Sequence, residues 1–284
     1  MKLLFLRPIW VLAKKILEVL GYVTIPREKY NYLNDSVIAL EGIKRWSHID
    51  IPRTITEFIS QNIQRIGNYS QLQADFVALF FKGSEPGFFV EFGACDGIRF
   101  SNTYILEKVF GWEGILAEPG RNWSSQLAMN RESHIDFRCI SSDDSMEVEF
   151  SEDSAAEFSS LSLFTTRNHT GHKKNIRKKY KVNTVSLNTL LSDWNSPKVI
   201  DYISVDTEGG ELEILEKFSF AEWDVQFFSI EHNFTSNESK IDALLHKNGY
   251  KRIFKDITLW DGWYIKNTNK KWLDLQSEFS ISES

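Results

Sequence analysis

The chain has 284 residues, with 33 Lys and Arg against 39 Asp and Glu, a formal charge of −6. A 42% hydrophobic, 25% charged composition excludes disordered and fibrous classes, and the mild acidity argues against a nucleic-acid binder. Two cysteines, Cys95 and Cys139, supply neither a disulfide framework nor a thiolate zinc site, which leaves an intracellular, cytoplasmic enzyme as the default.

In chain order, residues 1–25 form the first unit. Ile9, Leu12, Ala13, Ile16, Leu17 and Leu20 recur at helical spacing after Pro8, with Lys14, Lys15 and Glu18 on the other side. The apolar runs fall short of the ~20 residues a spanning helix needs. The amphipathic pattern over residues 1–21 fits an interfacial helix at the inner face of a membrane, or one that docks a partner or a second copy. Residues 26–68 read as a connector with helical character at 54–66. A helix is expected at 70–82. From Gly87 short apolar strands alternate with amphipathic helices, the pattern of a parallel α/β sheet within a unit spanning 69–266. Strands are expected at 88–93, 114–118, 135–140, 200–205, 225–231, 251–255 and 258–266. Helices are expected near 101–110, 121–130, 186–194, 209–217 and 237–247. The last two strands adjoin without a helix, which predicts a terminal antiparallel hairpin around Asp256. Residues 151–182 read as a long polar insertion, and 267–284 as a surface tail.

The run Phe88-Phe89-Val90-Glu91-Phe92-Gly93-Ala94-Cys95-Asp96-Gly97 is a buried strand entering a glycine-flanked turn, which lets a ligand approach the backbone at the strand's carboxyl end. The spacing is not G-x-G-x-x-G, so a nicotinamide or flavin dinucleotide is poorly supported. Glu91 and Asp96 would repel a pyrophosphate but suit the amino and sulfonium groups of S-adenosylmethionine. A merely structural turn is the alternative. Glu118 ends the second strand about 20–25 residues later, where a carboxylate reaches ribose hydroxyls in this architecture. Ser141 and Asp143 follow the third strand, where they suit an adenine amino group or form an ordinary turn.

Taken with Ser101-Asn102-Thr103, Gly111-Trp112-Glu113-Gly114, Ala117-Glu118-Pro119 and Val205-Asp206-Thr207-Glu208-Gly209-Gly210-Glu211-Leu212-Glu213, these motifs make the chain resemble the FkbM-type S-adenosylmethionine-dependent methyltransferases over roughly residues 69–266. The resemblance implies the class I methyltransferase fold, a Rossmann-like, mostly parallel seven-stranded sheet with a terminal antiparallel hairpin, and methylation of a hydroxyl. It implies cofactor contacts from Glu91, Gly93, Ala94, Asp96, Gly97, Asn102, Glu118, Ser141 and Asp143. The acceptors it implies are sugar hydroxyls of surface glycans or glycolipids, or secondary metabolites. Two departures stand out: Gly210 at a helix start, and Ala74 where the Ser70 segment of the family tends to carry Gln before Asp.

A hydroxyl is a poor nucleophile at neutral pH, so a base or a metal ion must assist. The fourth strand ends at Asp206, followed by Glu208, and the fifth ends at Glu231-His232-Asn233. In a parallel sheet these ends share one crevice. In one reading Asp206 and Glu231, joined by His232, Asn233 or Glu208, hold a divalent metal ion; in the other His232 or Glu208, beside Asp206, is a metal-free general base. Carboxylates that cap helices and a packed His232 are the structural alternative.

Residues 167–181 collect His169, His172, Lys173, Lys174, Arg177, Lys178 and Lys179 within this acidic chain. The run is either a solvated face or a mobile lid that draws an anionic glycan or small-molecule acceptor toward the crevice. Trp112, Trp123, Trp260 and Trp263 are candidate stacking faces for sugar rings. A non-catalytic binding protein on the same fold is the rival reading from another class.

Overall fold

The computed structural model describes residues 58, 74–83, 85–99, 101–154, 159–161, 175–255, 258 and 260–282. The expected N-terminal helix, the 26–68 connector apart from Phe58, the Ser70 segment and residues 167–174 of the basic run lie outside them. Among the described residues no helix is long and apolar enough to cross a membrane.

The apolar runs become the strands of one sheet. β1 (Phe88–Phe92), β2 (Glu113–Ala117), β3 (His134–Asp136), β9 (Tyr202–Val205) and β11 (Phe227–Glu231) run parallel, while β12 (Tyr250–Ile253) and β13 (Asp261–Lys266) complete the sheet. The order is β12-β13-β11-β9-β1-β2-β3, and β13 is antiparallel to both of its neighbours. This is the seven-stranded class I methyltransferase arrangement, with the hairpin where two strands adjoin without a helix. The chain moves outward from β1 through β2 to β3 and then returns to β9 on the other side. The order therefore reverses between β1 and β9, which places a crevice outside their carboxyl ends.

Near-continuous apolar strands need cover on both faces. One face carries α1 (Ala74–Lys82), α2 (Tyr104–Phe110) and α7 (Lys270–Ser282), packed through Phe76, Phe81, Leu106, Trp272 and Leu275. The other carries α4 (Leu187–Asp193), α5 (Glu211–Lys217) and α6 (Asn237–Lys247), packed through Leu190, Leu191, Leu215, Ile241 and Leu245. α3 (Ser124–Asn130) follows β2 and contributes Leu127 to the first face. At roughly 1.5–3 kcal/mol per fully buried large side chain, these faces supply the main driving force.

Three expectations change. The strand expected at 135–140 divides: β3 stays in the main sheet, while β4 (Cys139–Ile140) pairs with β7 (Ile176–Val185) in a second sheet. Asp136 causes the break, because its carboxylate accepts from the backbone and the guanidinium of Arg138 at 2.7–3.2 Å and closes a local turn. Both ends of the expected polar insertion, as far as they are described, are strand. β5 (Glu147–Asp153) pairs antiparallel with β7 and with β6 (Ser160–Leu161). Its charges alternate with Val148, Phe150, Tyr180 and Val182, which share one packed face, and Lys179–Glu149 at 2.7 Å and Lys181–Glu147 pair across the strands. The tail forms α7, started by Asn269, whose side chain accepts from Trp272 N at 3.1 Å. Two short parallel strands, β8 (Val199–Ile200) and β10 (Asp224–Val225), lie at the entrances to β9 and β11.

Candidate active site

Gly93 leaves β1 with φ +70°, a left-handed conformation that favours glycine. Its amide donates to Ala117 O of β2 at 3.0 Å, and a Cβ here would lie 2.6 Å from the carbonyl oxygen of Asp206. The turn after β1 and the end of β9 are thus in backbone contact at the switch point. Ala94 is buried beside it. Asp96 accepts from Ile98 N and Arg99 N at 2.9 and 2.8 Å, so one of its oxygens shapes the loop to Gly97 (φ +81°).

Glu118 is buried at the end of β2 and fastens two segments. Its oxygens accept from Cys95 N at 2.8 Å and Gly120 N at 2.6 Å. Each carboxylate oxygen has a second acceptor site, so both can still accept from a ligand. Burial pushes Glu118 up to about 7; the two backbone donors oppose that rise, while Asp206 and Glu91 add to it.

Glu91 is turned toward the protein. It accepts from Ser101 Oγ (2.9 Å), Asn102 N (2.6 Å) and Thr103 Oγ1 (2.6 Å), and the buried guanidinium of Arg131 lies 3.6 Å away. It therefore anchors the 101–103 loop and presents Asn102, whose side-chain amide donates to Ser204 Oγ at 3.0 Å. Arg131 also pairs with Glu107 at 2.9 Å.

Asp206, Glu208 and Glu231 converge: one carboxylate oxygen from each lies within 4.8 Å of the others. Asp206 and Glu208 are half-buried and Glu231 is buried. Glu208 sits in the left-handed region at φ +58°, an uncommon conformation for a side-chain-bearing residue. The strain is held by Glu211, which accepts from Thr207 N, Thr207 Oγ1 and Gly209 N at 2.9 Å each and so substitutes for the capping side chain that Gly210 lacks. Loss of water around Asp206 pushes its carboxyl up to about 7, with the neighbouring Glu211 adding to the effect and a hydrogen bond from Glu231 opposing it. Burial, then the charges of Asp206 and Glu208, drive Glu231 well above the ordinary range. Among the described residues no lysine or arginine forms an ion pair with Asp206, Glu231 or Asp261.

The structure does not bring His232 into this group, a correction to both roles assigned to it. Consecutive residues at a strand end point to opposite faces. His232 is buried with Nδ1 accepting from Phe234 N at 3.1 Å and Nε2 3.0 Å from Arg252 Nη2, beside Glu238. Burial holds its pKa below the usual value. Asp261 is a member the sequence reading missed. It pairs in register with Glu231 across the antiparallel β11–β13 ladder and is driven well above its ordinary range by burial, then by Asp206 and Glu211. Its signal was an acid at the start of the last strand, readable only once the antiparallel register is known.

Ser141 follows β4 in the accessory sheet, its amide donating to Val185 O at 3.0 Å. Asp143 is exposed and accepts from Ser142 Oγ. Neither lies at the end of a main-sheet strand, because β3 stops at Asp136. Trp112 and Trp263 are core residues rather than sugar platforms, while Trp123 and Trp260 are half-buried.

Two solved methyltransferase structures show a weak likeness to the chain. The magnesium protoporphyrin IX methyltransferase of Synechocystis PCC 6803, solved with bound S-adenosylmethionine, is 9% identical with TM-score 0.34, covering 83% of this chain and 96% of that one. The precorrin-6y C5,15-methyltransferase of Geobacter metallireducens GS-15 is 12% identical with TM-score 0.35, covering 67% and 85%. No curated protein matches the chain. The methyltransferase FkbM domain matches residues 91–252, more than half of the chain, from the end of β1 into β12. The chain belongs to the FkbM methyltransferase domain family.

Proposed function

We propose that this methyltransferase moves the methyl group of S-adenosylmethionine to a hydroxyl of a sugar, in a surface glycan or glycolipid. The observation that carries the reading is the carboxylate group Asp206, Glu208 and Glu231 at the switch point, next to the Gly93 turn and Glu118. The donor chemistry fits the cofactor: acidic side chains held near neutrality without lysine or arginine partners favour a ligand that brings positive charge. Glu118 would receive the ribose hydroxyls, and Asn102 lies on a loop that Glu91 fixes. When bound, the cofactor supplies an electrophilic methyl group on sulfur, which leaves as a neutral thioether.

The chain's own residues must then align the acceptor and take its proton. Asp206, with a pKa pushed up to about 7, is matched to that exchange at neutral pH. Glu208, held in its strained turn, is fixed toward the same space. A second reading is favoured by the spacing of the three carboxylates: hard oxygen donors this close suit a divalent cation, which would supply Lewis-acid polarisation of the hydroxyl. His232 belongs to neither reading.

Calorimetry with S-adenosylhomocysteine, followed by incubation of labelled cofactor with candidate glycans and mass spectrometry, tests the proposal. Binding and a +14 Da sugar product, the mass of CH2, are expected; absence of cofactor binding would sink it. Full activity in EDTA would select the proton-acceptor reading over the cation.

A further inference from the structure

The turn after β2 and the β5–β7 hairpin enclose a groove of about 410 Å³ lined by Arg121, Asn122, Glu152, Lys178, Lys179 and Tyr180. Three cations against one carboxylate make it a basic recess in an acidic chain. Arg121 is pre-organised within it. Its guanidinium lies 4.3 Å from the Tyr180 ring centroid, Nη2 donates to Lys181 O at 3.0 Å, and its backbone amide donates to Tyr180 Oη at 3.0 Å. Tyr180 is braced in turn by Phe150, with ring centroids 5.6 Å apart, and its hydroxyl hydrogen-bonds Glu152.

Among the described residues, neither Arg121 nor Lys178 forms an ion pair with a carboxylate. By contrast Lys179 and Lys181 pair with Glu149 and Glu147. Among the cations of β7, Lys179 and Lys181 thus neutralise the opposite strand, while Lys178 lines the recess with Arg121. Fixed guanidinium donors beside an ammonium suit a phosphate, while Asn122 and the buried Glu152 suit neutral hydroxyls.

We propose that this groove is a binding subsite for the phosphate ester of a phosphorylated sugar, the remote end of the acceptor. The assignment rests on the methyl-transfer reading only in calling that ligand an acceptor. Arg121 and Lys178 hold the phosphate, and Asn122 and Glu152 meet sugar hydroxyls. The order β9-β1-β2 sets the strand that leads into Arg121 two strand spacings, about 10 Å, from the strand that ends at Asp206. A molecule that reaches both must be longer than a simple alcohol, which favours a phosphorylated oligosaccharide over a small metabolite.

The test uses the full chain saturated with S-adenosylhomocysteine and two probes, glucose 1-phosphate and vesicles containing phosphatidylglycerol. Saturable binding of either probe is expected, weakened about tenfold in R121Q/K178Q, as loss of charge-assisted hydrogen bonds requires. Lys178→Gln alone alters only an exposed side chain and must weaken binding in the same direction, so the test survives misfolding of the double variant. Glucose 1-phosphate binding assigns a soluble phosphosugar, and vesicle binding alone assigns a lipid-linked phosphate. No saturable binding of either probe, or undiminished binding in both variants, overturns the proposal. S-Adenosylhomocysteine affinity on the same samples reports separately: its absence defeats the methyl-transfer reading, whereas its persistence with no probe binding defeats only the groove.

Discussion

Asp206 and Glu231, at the ends of adjacent parallel strands, bring one carboxylate oxygen each within 4.8 Å of the other. Two acids this close and this short of water disfavour one another's charged form. Glu208, Glu211 and Asp261 press on the same pair. The crevice is consequently a store of unfavourable negative charge that a cationic ligand or a proton relieves.

That store sets the pH dependence of stability. Asp206 and Glu118 are raised from 3.8 and 4.5 to about 7, and Glu231, Glu211 and Asp261 are raised as well. Between those unfolded and folded values the native state binds more protons than the unfolded chain, so stability falls as pH rises. His232, lowered by burial, works the other way below its ordinary pKa but is a single group. The thermal midpoint of the ligand-free protein is expected to drop by several degrees between pH 5 and pH 8. A midpoint that climbs over that range would contradict mutual destabilisation among these buried carboxylates. If the cation reading holds, magnesium should recover more of the loss at pH 8 than at pH 5.

Substitutions separate the carboxylates from the histidine beside them. Asp206→Asn and Glu231→Gln remove a proton acceptor or cation ligand, and a loss of roughly 10²–10⁴ in kcat is expected. Each also removes a repulsive charge, so the thermal midpoint at pH 8 should hold or rise. His232→Gln, outside the carboxylate group, should retain activity within about tenfold, a barrier change near 1.4 kcal/mol. Steady-state kinetics on the three variants with one acceptor decide the matter. A histidine variant as inactive as Glu231→Gln would return His232 to the chemistry.

Gly93→Ala tests the backbone approach between the first turn and β9. The added Cβ would sit 2.6 Å from a carbonyl oxygen, which cannot rotate away as a side chain would, and φ is +70°. Destabilisation above about 1 kcal/mol in urea denaturation is expected, with weakened S-adenosylhomocysteine binding. An unchanged midpoint and affinity would mean that the turn and β9 are not held in contact.

Arg131→Met tests the loop anchor. Its buried guanidinium lies between Glu91 and Glu107. Although burial pushes Glu107 up, Arg131 and the hydrogen bonds from Ser133 and Glu132 hold it at about 2. Removing the cation leaves the buried Glu91 without a counter-ion and Glu107 with only Lys108, at 3.1 Å, and a loss of about 3 kcal/mol is expected. Cofactor affinity should fall with it, because Glu91 positions Asn102. Chemical denaturation alongside calorimetry measures both.

Much of this was legible in the residues. Apolar runs such as Phe88–Phe92 and Phe227–Glu231 marked strands buried on both faces, and the acids that end them marked the crevice. What stayed hidden depended on pairing. The alternation in β5 and β7 is masked because Glu152 and Lys178, paired in register, put charge at positions in step with Val148, Phe150, Tyr180 and Val182, so the strands read as a polar insertion. Asp261 enters the cluster through antiparallel register with Glu231, which no local pattern encodes. The orientation of His232 depends on Arg252, which arrives from β12. Glu91 looked like a ligand contact because its charge suits an amino or sulfonium group at the end of β1. The loop supplies them itself, through Ser101, Asn102 and Thr103.

The strand order bears on how the protein can be divided. The family match stops at Ile253's neighbour Arg252, yet β13 begins at Asp261 and lies between β11 and β12. A fragment cut at residue 252 would strand β12 with no ladder partner and leave one side of β11 open. It would also discard Trp272, whose ring lies 6.4 Å from that of Phe81 on the helix before β1. The span that carries the family's motifs is therefore smaller than the span able to fold, and any truncation meant for expression should run through α7.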